Sequence, residues 1–122
     1  MPRSTSEWTV LLYPPWERSG PVERILRGLN PEQGLVVEQK IMLLNEHGPV
    51  NLFKGHLKPV RGLPDKVFEM RAGDCRLFVM WAQRTVVLLH IEVKKTYKLT
   101  KKCMKTLRRR APGVDTWLKG ER

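Results

Sequence analysis

Acidic side chains are scarce in the second half of this chain. Between residues 54 and 110 there are four, Asp65, Glu69, Asp74 and Glu92, against sixteen Lys/Arg. That stretch carries +12, residues 1–53 carry −1 and residues 111–122 balance, so one half holds essentially all of the net +11. A surface built only for solubility usually mixes the signs, so the imbalance points to a polyanionic partner. Long apolar runs are missing too. None approaches the ~18 residues that would mark a membrane span, and Met1-Pro2-Arg3-Ser4 opens no apolar secretion signal. The expectation is a cytoplasmic protein with no membrane partner. Cysteine is limited to Cys75 and Cys103, expected at a hairpin turn and in a helix, hence two free thiols. With two distant cysteines and three scattered histidines, no metal site is expected and no cofactor is implied.

What is present suits a single domain over residues 1–122, with a core over about 8–111 and a C-terminal tail over 112–122. At 41% apolar residues, a chain of this length can build one modest core. Trp8 to Tyr13 is β-branched, aromatic and apolar and reads as a strand stopped by Pro14-Pro15. Ser19-Gly20-Pro21 opens a helix running to about Leu29. Asn30-Pro31-Glu32 opens a second, with an N-cap, a proline at the first helical position and an acid in the first turn. It reaches about Glu46, with Val37, Ile41 and Leu44 on one face and Gly48-Pro49 as its stop. Together the two make a helical hairpin.

Residues 49–65, with Pro49, Gly55, Pro59, Gly62 and Pro64, read as an irregular loop carrying Lys54, His56, Lys58 and Arg61. Three strands are predicted next: Val67–Arg71, Cys75–Gln83 after an Ala72-Gly73-Asp74 turn, and Thr85–Lys94 after a turn near Arg84. Thr100 caps a last helix that Pro112-Gly113 closes, with Met104, Leu107 and Ala111 as its buried stripe. Lys101, Lys102, Lys105 and Arg108–Arg110 coat the remainder. The segment through Trp117-Leu118 is either a docking segment or disordered. The fold class is α/β of the mixed α+β kind.

Period-two alternation puts Glu69 and Arg71 on one face, with Arg76 across the turn on the facing strand. It also groups His90, Glu92 and Lys94, and sets Val87, Leu89, Ile91 and Val93 on the opposite face. The apolar face must meet the helices, so the polar face is expected to be open. Such a set suits metal-free RNA cleavage. That reaction deprotonates a 2′-oxygen, stabilises a phosphorane and protonates a 5′-oxygen. Glu69, Glu92 or His90 offers a base, and arginine forks match phosphate oxygens. The same residues also read as mutually satisfied sheet partners.

Three stretches resemble a known family. Leu57 to Arg71, ending Lys66-Val67-Phe68-Glu69-Met70-Arg71, is similar to the Gly-Leu-(Trp/Tyr)-Glu-(Leu/Met)-Arg region of HigB/RelE-type toxins of type II toxin–antitoxin systems. The likeness is to their phage-derived HigB-like branch, within the RelE/ParE superfamily. Cys75-Arg76-Leu77-Phe78-Val79-Met80-Trp81 resembles the strand that follows there. Val86-Val87-Leu88-Leu89-His90-Ile91-Glu92-Val93-Lys94-Lys95-Thr96 resembles the branch's last strand with its basic pair. The likeness spans roughly residues 21–111. Val67-Phe68 departs from the usual Leu-(Trp/Tyr), and Glu92 stands where the branch has an aromatic.

The resemblance implies a helical hairpin packed on a twisted, mainly antiparallel sheet, an N-terminal edge strand and a basic C-terminal helix. It also implies a ribosome-dependent endoribonuclease that cuts mRNA in the A site, neutralised by an antitoxin with a helix-turn-helix domain. Arg71 and Arg76 fall on the arginines of the family's active surface, and Lys94 and Lys95 on its basic pair. Tyr97 lies near a tyrosine that some RelE-like enzymes use. His90 matches a recurrent histidine that is either structural or catalytic. With Glu69 and Glu92, these are the candidate catalytic residues. Lys58, Arg61, Lys66, Lys98, Lys101, Lys102, Lys105 and Arg108 are the candidate RNA contacts. Two other functions fit the same fold: a ParE-like inhibitor of DNA gyrase, which lacks convergent arginines, and a phage protein that binds nucleic acid without cutting it.

Overall fold

In the computed structural model, which describes residues 8–49, 53–93 and 99–120, a five-stranded sheet lies between two helical layers. The strands are β1 (Thr9–Leu12), β2 (Lys58–Pro59), β3 (Phe68–Ala72), β4 (Cys75–Ala82) and β5 (Thr85–Val93). The helices are α1 (Pro21–Gly28), α2 (Pro31–His47), the single turn α3 (Phe53–His56) and α4 (Lys101–Gly120). Strand order is β1-β5-β4-β3-β2, with β1 parallel to β5 and every other pair antiparallel. The expected mixed architecture, its helical hairpin and its N-terminal edge strand are all present. Among the described residues no helix is long and apolar enough to cross a membrane.

The hairpin forms for the local reasons its sequence carries. Asn30 Oδ1 accepts from the Gln33 amide at 2.8 Å, and Gln33 Oε1 accepts from the Asn30 amide at 3.2 Å. This capping box satisfies two otherwise orphaned donors, with Pro31 at a position that needs none. Gly48 ends α2 at φ +75, and a Cβ there would lie 2.2 Å from the Trp8 ring, so only glycine fits. α1 and α2 bury Val22, Val37 and Leu44 against Met70, Leu77, Val79, Val86, Leu88 and Ile91 on one sheet face.

The opposite face is where the fold departs from expectation. It is covered by α4, whose Cys103, Leu107, Ala111, Val114 and Leu118 pack on Phe78, Met80, Val87 and Leu89. α4 starts as predicted, with Thr100 Oγ1 accepting from the Cys103 amide at 3.0 Å. It does not stop at Pro112-Gly113 but continues to Gly120. A proline inside a helix costs about 3 kcal/mol. Burying Val114 and Leu118, each worth about 1.5–3 kcal/mol, offsets that, so the predicted tail is the second half of the helix. Met104 is only partly buried, and the stripe instead includes Cys103 and Arg110. The predicted 49–65 loop likewise contains α3 and β2.

The predicted face assignment of β5 also fails, at one residue. Val79 pairs with Leu88 and Phe78 with His90, so Leu89 has no partner in either flanking ladder. A bulge of this kind breaks the period of two. Val87, Leu89, His90 and Glu92 therefore share the α4 side, while Ile91 turns to the hairpin side. The bulge carbonyl is not orphaned: Arg110 Nη1 donates to Leu89 O at 2.7 Å, and its guanidinium lies 4.7 Å from the Tyr13 ring centroid. Arg110, expected on the coat of α4, is buried there.

Candidate active site

Register across the sheet sets two adjacent rows on the α4 side. One runs Arg71–Arg76–Glu92 through β3, β4 and β5, and the other Lys58–Glu69–Phe78–His90 from β2 to β5. The β3–β4 hairpin closes in two residues, with Gly73 at φ +63, which puts the two arginines opposite each other as predicted. They do not form one open surface. α4 roofs the β5 end of both rows and leaves the β2–β3 end uncovered.

The uncovered end is a cleft of about 540 Å³ lined by Lys40, Gly55, His56, Lys58, Glu69, Arg71 and Arg76. Arg71 and Lys58 are exposed. Arg76 is not: it is 1% exposed, with Nε 3.3 Å from Glu69 Oε2, so the expectation of a solvent-facing Arg76 is corrected. Its guanidinium forms the cleft floor, and Glu69 retains 20% side-chain exposure beside it. His56 Nδ1 stands 3.4 Å from Lys40 Nζ on the rim. This group can bind a phosphate through Lys40, Lys58 and Arg71 above the buried Arg76, and offers a carboxylate and an imidazole for proton transfer.

The covered end holds His90 and Glu92. His90 Nε2 is 2.8 Å from Glu92 Oε1, both side chains are mostly buried, and the His90 ring stacks on Phe78 with centroids 6.1 Å apart. Burial lowers the His90 pKa, against the raising effect of Glu92 and with Arg110 and Arg109 pushing the same way as burial. The ring is therefore held neutral and paired. Thr100 Oγ1 reaches Glu92 Oε2 at 3.5 Å, and Cys103 lies alongside. Burial, then the Glu92 charge, pushes the Cys103 thiol up to about 12. Of the predicted bases, Glu69 stands in the cleft, while His90 and Glu92 sit beneath the helix.

Among the described residues, Lys58 alone of the predicted RNA contacts lines the cleft. Arg61, Lys66, Lys101, Lys102, Lys105 and Arg108 are exposed elsewhere, Arg108 donating to Gly62 O at 3.1 Å. Lys94, Lys95, Tyr97 and Lys98 lie outside the described residues. The cleft gains two residues that sequence reasoning did not place in it. Lys40 belongs to the hairpin layer, and no periodicity ties it to β3. His56 stood in the basic segment but read as loop. Both cysteines are free, as predicted, and both are buried.

Comparison with solved structures gives the class of the fold, that of the RelE toxins. The archaeal RelE–RelB complex from Pyrococcus horikoshii OT3 matches with a TM-score of 0.55 at 16% identity, over 72% of this chain and 96% of that one. The toxin–antitoxin complex RelBE2 from Mycobacterium tuberculosis matches at 20% identity and a TM-score of 0.49, over 72% and 99%. No curated protein matches. The family itself follows from sequence: the model of the phage-derived Gp49-like proteins (DUF891) matches residues 24–111, and the chain belongs to that family. The resemblance drawn from the three strand-centred stretches is borne out.

Proposed function

We propose that this protein is the toxin of a type II toxin–antitoxin system, an endoribonuclease that cuts mRNA in the ribosomal A site. The observation that carries the reading is the open cleft, where Lys40, Lys58, Arg71 and Arg76 surround Glu69 and His56. Cations around a carboxylate and an imidazole suit attack of a 2′-oxygen on the adjacent phosphorus. Glu69 or His56 takes the 2′ proton, and the second group can protonate the leaving 5′-oxygen. Arg71 and Lys58 meet the growing charge on the phosphorane oxygens. Arg76, from the floor, orients Glu69 and adds a fixed positive field. A cytoplasmic antitoxin with a helix-turn-helix domain is the expected neutralising partner. The RelB chain in the archaeal RelE–RelB complex of this fold supports an antitoxin partner as such.

Proton-transfer groups are few in this cleft and Glu69 is already engaged by Arg76, so orientation must supply much of the rate. A ribosome holding the codon converts that orientation into rate. Cleavage of naked RNA is accordingly expected to be slow, and cleavage of mRNA on ribosomes with an open A site fast. Primer extension on translated mRNA after induction tests the reading. Codon-phased cuts support it. Intact mRNA with new DNA breaks would replace it with the gyrase-inhibitor function. A pure sample degrading free RNA as fast as ribosome-bound mRNA would overturn the ribosome-dependent mechanism.

A further inference from the structure

Three metal-ligating side chains from two elements converge where the start of α4 meets the end of β5. One ring nitrogen of His90, one carboxylate oxygen of Glu92 and the Cys103 sulfur all lie within 4.8 Å of one another. From these we infer that His90, Glu92 and Cys103 form a site for a divalent cation of borderline softness, Zn²⁺ foremost, that fastens α4 to the sheet. The site shares no lining residue with the cleft and does not depend on the ribonuclease reading.

The donor set selects the ion. A nitrogen, an oxygen and a sulfur suit zinc, whereas magnesium and calcium take oxygen ligands. Zinc bonds of about 2.0–2.3 Å in a tetrahedron set neighbouring donors roughly 3.3–3.8 Å apart. The present spread of up to 4.8 Å, with His90 Nε2 and Glu92 Oε1 at 2.8 Å, brackets that range. The cation takes the place of the proton on His90 Nε2, which moves to Nδ1, and draws the sulfur inward. A cavity of about 350 Å³, bordered by Thr100, Lys102 and Thr106, leaves the fourth position for water.

Two further features favour ligation. His90 Nδ1 is buried without a hydrogen-bond partner among the described residues, so it is free to take the proton that Nε2 gives up. Thr100 contacts the second Glu92 oxygen at 3.5 Å and accepts from the Cys103 amide, supporting two ligands from behind. Lys102, Arg76, Arg109 and Arg110 make the surroundings positive and oppose a bare cation. The Glu92 carboxylate and a Cys103 thiolate cancel the ion's two charges locally. Binding forms the metal–sulfur bond, breaks the S–H bond and releases that proton to solvent.

The test uses the full chain, stripped with EDTA and titrated with Co²⁺. One equivalent is expected to bind, with a thiolate-to-cobalt charge-transfer band in the near ultraviolet and visible bands of tetrahedral intensity, both bleached by Zn²⁺. The thermal midpoint should rise on saturation. Cys103→Ser should abolish the charge-transfer band and weaken binding at least about tenfold, while Cys75→Ser keeps both. Should Cys103→Ser fail to fold, Glu92→Gln gives an independent reading: the band persists and affinity falls by a similar factor. Absence of stoichiometric binding overturns the site. So does binding that neither variant weakens, or a band lost in Cys75→Ser instead.

Discussion

The two ends of one sheet face carry the same residue types and put them to opposite uses. At the β2–β3 end a carboxylate, a histidine and arginine line an open cleft. At the β5 end Glu92 and His90 hydrogen-bond to each other beneath α4, and Arg110 closes the bulge by binding the Leu89 carbonyl. What separates them is coverage. Under a helix a polar group must exchange water for an internal partner, because leaving it unpaired costs about 1–3 kcal/mol. In the cleft the groups above the buried Arg76 keep solvent and can exchange it for a phosphate. Residue type nominates a site, and the layer above the sheet decides whether it is one.

The largest expected effects lie in the cleft. Arg71→Ala is expected to lower mRNA cleavage by ~10²–10³ with an unchanged thermal midpoint, because Arg71 is exposed. His56→Ala should cost ~10²–10⁴, which primer extension on translated message would reveal. Arg76→Ala should lose both activity and stability. Removing one partner of a fully buried pair costs about 3–5 kcal/mol, and less here because Glu69 keeps a fifth of its side chain in water. A fully toxic Arg71→Ala variant at equal expression would break the comparison at its open end.

The covered end gives the converse. Arg110→Met should leave the cleavage rate of the folded protein unchanged and lower stability by about 1.5–3 kcal/mol, the range for a hydrogen bond from a charged donor. Urea unfolding measures the loss. If this variant instead cut mRNA more slowly at full stability, Arg110 would belong to the functional machinery rather than to the bulge.

Much of this was legible in the chain. The hairpin announces itself in Asn30-Pro31 and Gly48, and the sheet in the apolar run Val86 to Leu89. The opposed pair Arg71 and Arg76 follows from a two-residue turn at Gly73. The failures share a cause, namely contacts between residues far apart in sequence. Nothing local marks Leu89 as a bulge, since its carbonyl is satisfied by a guanidinium 21 residues onward. Once that bulge is missed, His90 and Glu92 are assigned to an exposed face. Lys40 meets His56 across 16 residues, from a helix whose own pattern shows only which side is buried. Cys103 approaches His90 and Glu92 only because α4 folds back over β5. Pro112 carried a correct local warning that burial of Val114 and Leu118 overrides.

That override can be measured. Pro112→Ala restores an amide that can bond to the Arg108 carbonyl and removes the ring's clash with it. Stability should rise by about 1–3 kcal/mol, seen as a higher urea midpoint with an unchanged slope. A loss of stability would mean that the proline shapes α4 to fit over the sheet, and that the covered end depends on that shape.

The smallest effect concerns the outer surface of the same helix. Lys101, Lys102, Lys105 and Arg108 are exposed there, and their positive charge is expected to meet ribosomal RNA backbone. Each phosphate contact releases counterions and contributes roughly 0.7–0.9 to the slope of log affinity against log salt. Replacing Lys101 and Lys102 with glutamine should therefore flatten that slope by roughly 1.4–1.8 while leaving the fold and the cleft intact. Co-sedimentation with ribosomes across a salt series reads it directly. The affinity lost at any one salt is modest because these are rim charges in water, where screening limits each contact. The slope is the sharper measure, since it counts contacts rather than their strength. If it does not change, the outer face of α4 is a solvated surface or an antitoxin contact, and the helix acts on the site only by covering half of it.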